Sequence, residues 1–188
     1  MPVTILDQPL PYVSLLPERR ADAVELVVIH CTELPDMAMA REYGERLLHA
    51  SGTGNSGHYY IDRDGTIHRY VPGTRVANHV RGHNTDSIGI ELVNLGRYPH
   101  WWDSRHQQMT EPYSAAQIAA LRALLAQLRE QFPNLRQIAG HEDLDTAMMP
   151  ASDEPTLEIH RKLDPGPLFP WREVLRGSGL QRIGDSRP

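Results

Sequence analysis

Three residues spread along this chain carry the side chains of a metal site. His30 closes the apolar run Val24-Glu25-Leu26-Val27-Val28-Ile29, His141 sits in Ala139-Gly140-His141-Glu142-Asp143, and Asp164 precedes Pro165-Gly166. Two histidines and a carboxylate leave the fourth position of a tetrahedral zinc ion open, as catalytic rather than structural sites do. Lys162, two residues before Asp164, brings a second positive charge of the kind that stabilises an oxyanion. Glu91 lies in Ser87-Ile88-Gly89-Ile90-Glu91-Leu92-Val93. Strand alternation puts it on the face opposite Ile88, Ile90 and Leu92. A carboxylate within a sheet needs a partner or a task, and a general base for an attacking water has such a task. The combination predicts metal-assisted hydrolysis.

Taken singly, each residue has an ordinary reading. A histidine at a strand end is commonly a hydrogen-bonded structural residue, an aspartate before Pro-Gly forms turns, and a lysine in a charged loop is solvated. His79 and His83 have the i, i+4 spacing of a helical metal pair, but Gly82 lies between them and the segment lacks a helical pattern. No His-Glu-x-x-His motif, nucleophile elbow or phosphate-binding glycine loop is present. His49, His68, His100, His106 and His160 are expected to be structural or solvated. Cys31, next to His30, is expected to pack rather than react.

The elements that must position these groups follow from the pattern. Val24–Ile29 reads as a buried central strand with His30 at its carboxyl end, where open α/β sheets place ligands. Residues 36–49 read as a helix with Met39, Tyr43, Leu47 and Leu48 on one face, and 51–57 as a flexible loop. His58–Ile61 and Thr66–Val71 read as strands joined by Arg63-Asp64-Gly65, a hairpin signal. Ser87–Val93 is a further strand. Residues 114–132 form the clearest helix, with Ser114 and Gln117 as a capping box and a stripe of Ile118, Leu121, Leu124, Leu125 and Leu128. A short strand at 136–139 delivers His141, and 146–158 reads as a loop-like insertion. The fold class is α/β: one domain over 23–175, its central mixed sheet flanked by helices. An irregular proline-rich arm (1–22) and a frayed tail (176–188) are expected at the ends.

The 188 residues are 40% hydrophobic and 23% charged, with a formal charge of −5 and no basic run, so nucleic acid is not an expected partner. One cysteine excludes an intrachain disulfide. No apolar run is long enough for a membrane span. Pro2, Pro9, Pro11 and Pro17 break the first twenty residues, which lack the form of a signal peptide. A cytoplasmic monomer is the default expectation, with periplasmic or extracellular placement left open.

Five stretches occur in an order that carries a resemblance: His30-Cys31-Thr32, Gly57–Gly65, Ser87–Leu92, Gly140–Asp143 and Arg161–Pro167. Together they resemble the zinc-dependent N-acetylmuramoyl-L-alanine amidases of the AmpD type, whose fold phage amidase lysozymes and animal peptidoglycan recognition proteins share. The resemblance covers about Val24 to Trp171. It implies a Zn2+ cofactor on His30, His141 and Asp164, with Glu91 and Lys162 as catalytic residues. The implied reaction is hydrolysis of the amide between N-acetylmuramic acid, or its 1,6-anhydro form, and L-alanine of the stem peptide. That substrate, muropeptide or peptidoglycan, implies a place in cell-wall recycling or degradation. His79 aligns with a groove histidine of the family's Trp-His segment, Asn78 standing where the tryptophan is usual. His58, Asn84 and Arg161 are assigned with it to substrate binding, Arg161 toward a stem-peptide carboxylate. The 146–158 insertion departs from the family and is expected beside the groove. A non-catalytic peptidoglycan-binding module is the alternative, and loss of a zinc ligand would mark it. A structural-zinc protein is disfavoured by the single cysteine.

Overall fold

The computed structural model describes residues 3–184. In chain order its elements are β1 (Ile5–Asp7), β2 (Leu26–Cys31), α1 (Met37–Glu45), β3 (Tyr59–Ile61), β4 (Ile67–Arg69), β5 (Ser87–Leu92), α2 (Ala115–Gln131), β6 (Gln137–Gly140), α3 (His141–Leu144), β7 (Met148–Pro150), β8 (Glu158–His160), α4 (Trp171–Leu175) and β9 (Gln181–Arg182). The main sheet has the order β1-β4-β3-β5-β2-β6-β9. β3, β5, β2, β6 and β9 run parallel, and the β3–β4 hairpin turns the remaining pair the other way.

The two faces of this sheet have separate duties. Val27 and Ile29 of β2, Ile88, Ile90 and Leu92 of β5, and Ile138 of β6 meet the Ile118, Leu121, Leu124, Leu125 and Leu128 stripe of α2 in one core. Ser114 caps α2 by accepting from the Gln117 N–H, and the Gln117 side chain answers on the Ser114 N–H, so the capping box forms as predicted. Alternation sends Leu26, Val28 and His30 of β2, and Ser87, Gly89 and Glu91 of β5, to the opposite face. There Leu26 and Val28 pack with Val80 and Ala139, and the polar members are left to build a site.

Both chain ends depart from expectation. The proline-rich arm contributes β1, paired with β4 through Ile5↔Ile67, and buries Leu10, Tyr12 and Leu16. The tail contributes β9, paired with β6, and buries Leu180; residues 1, 2 and 185–188 of these two segments lie outside the described residues. Two smaller corrections follow. The first helix ends at Glu45, and Leu47 and Leu48 lie outside it at 64% and 61% exposure. The backbone N–H groups of Leu48 and His49 both turn to the Thr53 carbonyl instead. Within 51–57, Thr53, Gly54, Ser56 and Gly57 are buried. The 146–158 stretch is no plain loop, since β7 and β8 pair as an antiparallel hairpin.

Candidate active site

His30 and Glu91 are opposite each other on adjacent parallel strands, and Tyr60 of β3 is opposite Glu91 on its other side. Paired residues share a face, with neighbouring strands ~4.8 Å apart, so Tyr60, Glu91 and His30 form a row across three strands. β6 ends where His141 begins α3, one strand further along. Asp164 is brought in by its turn: its carbonyl accepts from the Glu142 N–H at 2.9 Å, and the Tyr113 hydroxyl donates to the Pro165 carbonyl at 2.7 Å.

The three predicted ligands converge. His30 Nδ1 lies 3.0 Å from His141 Nδ1 and 3.0 Å from Asp164 Oδ2, and His141 Nδ1 lies 3.1 Å from that same oxygen. All three residues are buried, at 2%, 4% and 3% exposure. Among the described residues, Asp164 Oδ1 is buried with no hydrogen-bond partner. A protein-only site leaves this carboxylate half-satisfied, whereas a cation uses it. Two imidazoles and one carboxylate suit a borderline ion such as Zn2+. The donor set therefore fits the ion that the sequence resemblance implies.

The electrostatics agree with metal-ready protonation states. Burial, with His141 close by, depresses the His30 pKa to about 4, so its ring is neutral. Burial opposes ionisation of Asp164, but His141, Lys162 and the histidine hydrogen bonds outweigh it and hold the carboxyl well below its ordinary range. Glu91 goes the other way. Burial first, then the Asp164 charge, raises it to about 8, against the opposing pull of Lys162. Two carboxyl groups in one site thus have pKa values driven apart, a pattern of acid–base sites.

These groups line a cleft of about 430 Å³, together with Glu33, Tyr60, Asn78, His79, Arg81, Asn84, Arg161 and Lys162. Four substrate-binding expectations meet the structure differently. His58 is corrected: it is fully buried and does not line the cleft. Its Nδ1 accepts from the Gly89 N–H at 3.0 Å and its Nε2 lies 3.0 Å from the Arg75 carbonyl, so it ties β5 to the loop preceding it. Asn84 lines the cleft, but its Oδ1 accepts from the N–H groups of His79 and Val80. Arg161 lines it too, with its guanidinium paired to Asp145 within the chain. His79 forms part of the wall with both ring nitrogens engaged. Cys31 is buried, and burial pushes its thiol well above the ordinary range, as expected of a packed residue.

Sequence reasoning missed Tyr60 and the Glu33–Arg97 pair. Tyr60 takes its place from register alone. Glu33, at φ 49°, receives the Arg97 guanidinium on both oxygens at 2.7 and 2.9 Å. Arg97 also donates to the His160 carbonyl at 3.1 Å, which ties the Arg161-Lys162 stretch to the end of β2. The β7–β8 hairpin works from outside: no residue of 146–158 lines the cleft, but the Ala147 carbonyl accepts from the Arg161 N–H.

Residues 20–167 match the family described as N-acetylmuramoyl-L-alanine amidase. The chain belongs to that family. The endolysin of Klebsiella phage KP32 is 32% identical over 85 residues, 45% of this chain and 52% of that protein. The N-acetylmuramoyl-L-alanine amidase AmiD of Escherichia coli (strain K12) is 33% identical over 92 residues, 48% of this chain and 27% of that protein. The chain thus spans about half or less of these relatives' lengths. AmpDh3 of Pseudomonas aeruginosa, solved in complex with anhydromuramic pentapeptide, superposes with a TM-score of 0.64 at 26% identity, over 87% of this chain and 62% of that one. The matched span includes His30, Glu91, His141, Lys162 and Asp164. Among the described residues, no helix is long and apolar enough to cross a membrane.

Proposed function

We propose that this amidase-family chain hydrolyses the amide bond between N-acetylmuramic acid, or its 1,6-anhydro form, and the L-alanine of peptidoglycan stem peptides. The observation that carries the proposal is the meeting of three buried donors, His30, His141 and Asp164, in a cleft that also holds Glu91 and Lys162. A zinc ion held by those donors supplies Lewis acidity toward the scissile carbonyl and lowers the pKa of water. Glu91 takes the proton of the attacking water and returns it to the leaving amine. Its raised pKa in the metal-free protein falls toward the working range when a cation sits nearby. Lys162 faces the carbonyl oxygen as it gains charge. Burial of His30, His141 and Asp164 keeps these donors desolvated, which strengthens every charge interaction in the site.

The muropeptide class is supported by the ligand in the AmpDh3 structure and by the reaction that names the family. We place the activity in cell-wall recycling or degradation, with a monomer as the working unit. The test is to incubate purified protein, with and without chelator, on soluble anhydromuropeptide and on intact sacculi, and to read products by mass spectrometry. Chelator-sensitive appearance of stem peptides with a free L-alanine amine is expected. Binding to either substrate without that release would replace the hydrolase with a recognition module.

A further inference from the structure

The ring of His79 offers no free nitrogen to the cleft. Its Nδ1 lies 3.0 Å from His30 Nε2, and its Nε2 lies 3.1 Å from Ser87 Oγ. The Ser87 hydroxyl also reaches the His83 carbonyl oxygen. A carbonyl oxygen only accepts, so the single Ser87 proton goes to it. Ser87 Oγ then accepts, and His79 Nε2 must carry the proton of its ring. A neutral imidazole has one donor and one acceptor, so His79 Nδ1 is bare and accepts from His30 Nε2–H. That leaves His30 Nδ1 with its lone pair free, and this is the atom facing His141 and Asp164. The direction of the whole chain is set at its far end by a backbone carbonyl.

We infer that His79 and Ser87 are positioning residues, which hold His30 in the tautomer and orientation that ligate a metal through Nδ1. The inference rests on the metal reading proposed above. Packing supports it independently of the hydrogen bonds. The His79 ring stands edge-on to His30, with centroids 5.2 Å apart and planes at 85°. A Cβ on Gly89 would lie 2.6 Å from His79 Nδ1, so only glycine leaves the ring its place. Ser87, Gly89 and Glu91 are alternate residues on one face of β5. The first anchors the histidine, the second makes room for it, and the third handles protons in the cleft.

The experiment measures Zn2+ affinity by competition with a chromogenic chelator, with circular dichroism and thermal unfolding of each metal-free protein as the folding control. Loss of a hydrogen-bond partner to a metal-bound histidine costs ~10–100-fold in affinity, and that loss is expected for His79→Leu. His79→Asn places an amide oxygen near the Nδ1 position and is expected to recover most of it. A packing role alone would favour the apolar variant over the polar one. Ser87→Ala is expected to weaken binding by at least about threefold, with the fold intact. Where His79→Leu fails to fold, Ser87→Ala decides. Unchanged affinity in the folded variants, or His79→Asn as weak as His79→Leu, overturns the relay alone. Wild-type protein that binds no Zn2+ overturns the metal reading and the relay with it.

Discussion

Glu91→Gln separates the proton chemistry of the site from its shape. The glutamate has its ordinary carboxyl value of 4.5 raised to about 8 in the metal-free fold. Each tenfold change in ionisation corresponds to ~1.36 kcal/mol, so ionising Glu91 in the folded chain costs up to ~5 kcal/mol. Water reaching the open cleft reduces this, and ~2–5 kcal/mol is the working range. Between pH about 4.5 and 8 the folded protein keeps a proton that the unfolded chain has released. The native state therefore binds more protons, and stability falls as pH rises through this window. Glutamine does not titrate, so Glu91→Gln lacks that slope. Urea unfolding of both metal-free proteins at pH 5, 7 and 9 should show the variant gaining ~2–4 kcal/mol over wild type between the ends of the series. Other titrating groups, the histidines included, are common to both proteins and cancel in the comparison. Parallel stability curves would refute the raised pKa and with it the poised base. In the zinc-loaded protein the same substitution should keep the metal and lower turnover by ~10²–10⁴.

Further outcomes follow from the same geometry. Lys162→Met should lower kcat by ~10²–10³ while leaving Zn2+ affinity nearly unchanged, as steady-state kinetics and metal titration would read. Asp164→Ala removes the only carboxylate of the donor set and should purify without zinc, an outcome checked by elemental analysis. Arg97→Met strands Glu33 beside the cleft and should destabilise the fold by ~3–5 kcal/mol in denaturant titration. The same variant should also lower activity, because the Arg161-Lys162 stretch loses its tether.

The central part of the site was legible because it lies on strands with strong patterns. The apolar run before His30 and the alternation around Glu91 fix which face each side chain takes, and no knowledge of neighbours is needed. The edge strands were not legible. β1 and β9 are three and two residues long, too short for any periodicity, and each exists because a partner more than 40 residues away offers it hydrogen bonds. His58 misled for a related reason. The resemblance assigned it to substrate binding, and only the fold shows the Gly89 N–H and the Arg75 carbonyl closing on it. Likewise, nothing in the spacing of Glu33 and Arg97 signals that they meet.

The row of Tyr60, Glu91 and His30 lies on strands that each have neighbours on both sides. In terms of motion, such strands belong to the part of a domain that opens only when the whole molecule does. Ligand release by local fraying is closed to His30, so an ion held there leaves through the cleft mouth. The rate of metal escape should then be insensitive to urea below the unfolding transition, and should rise steeply only where the sheet itself comes apart.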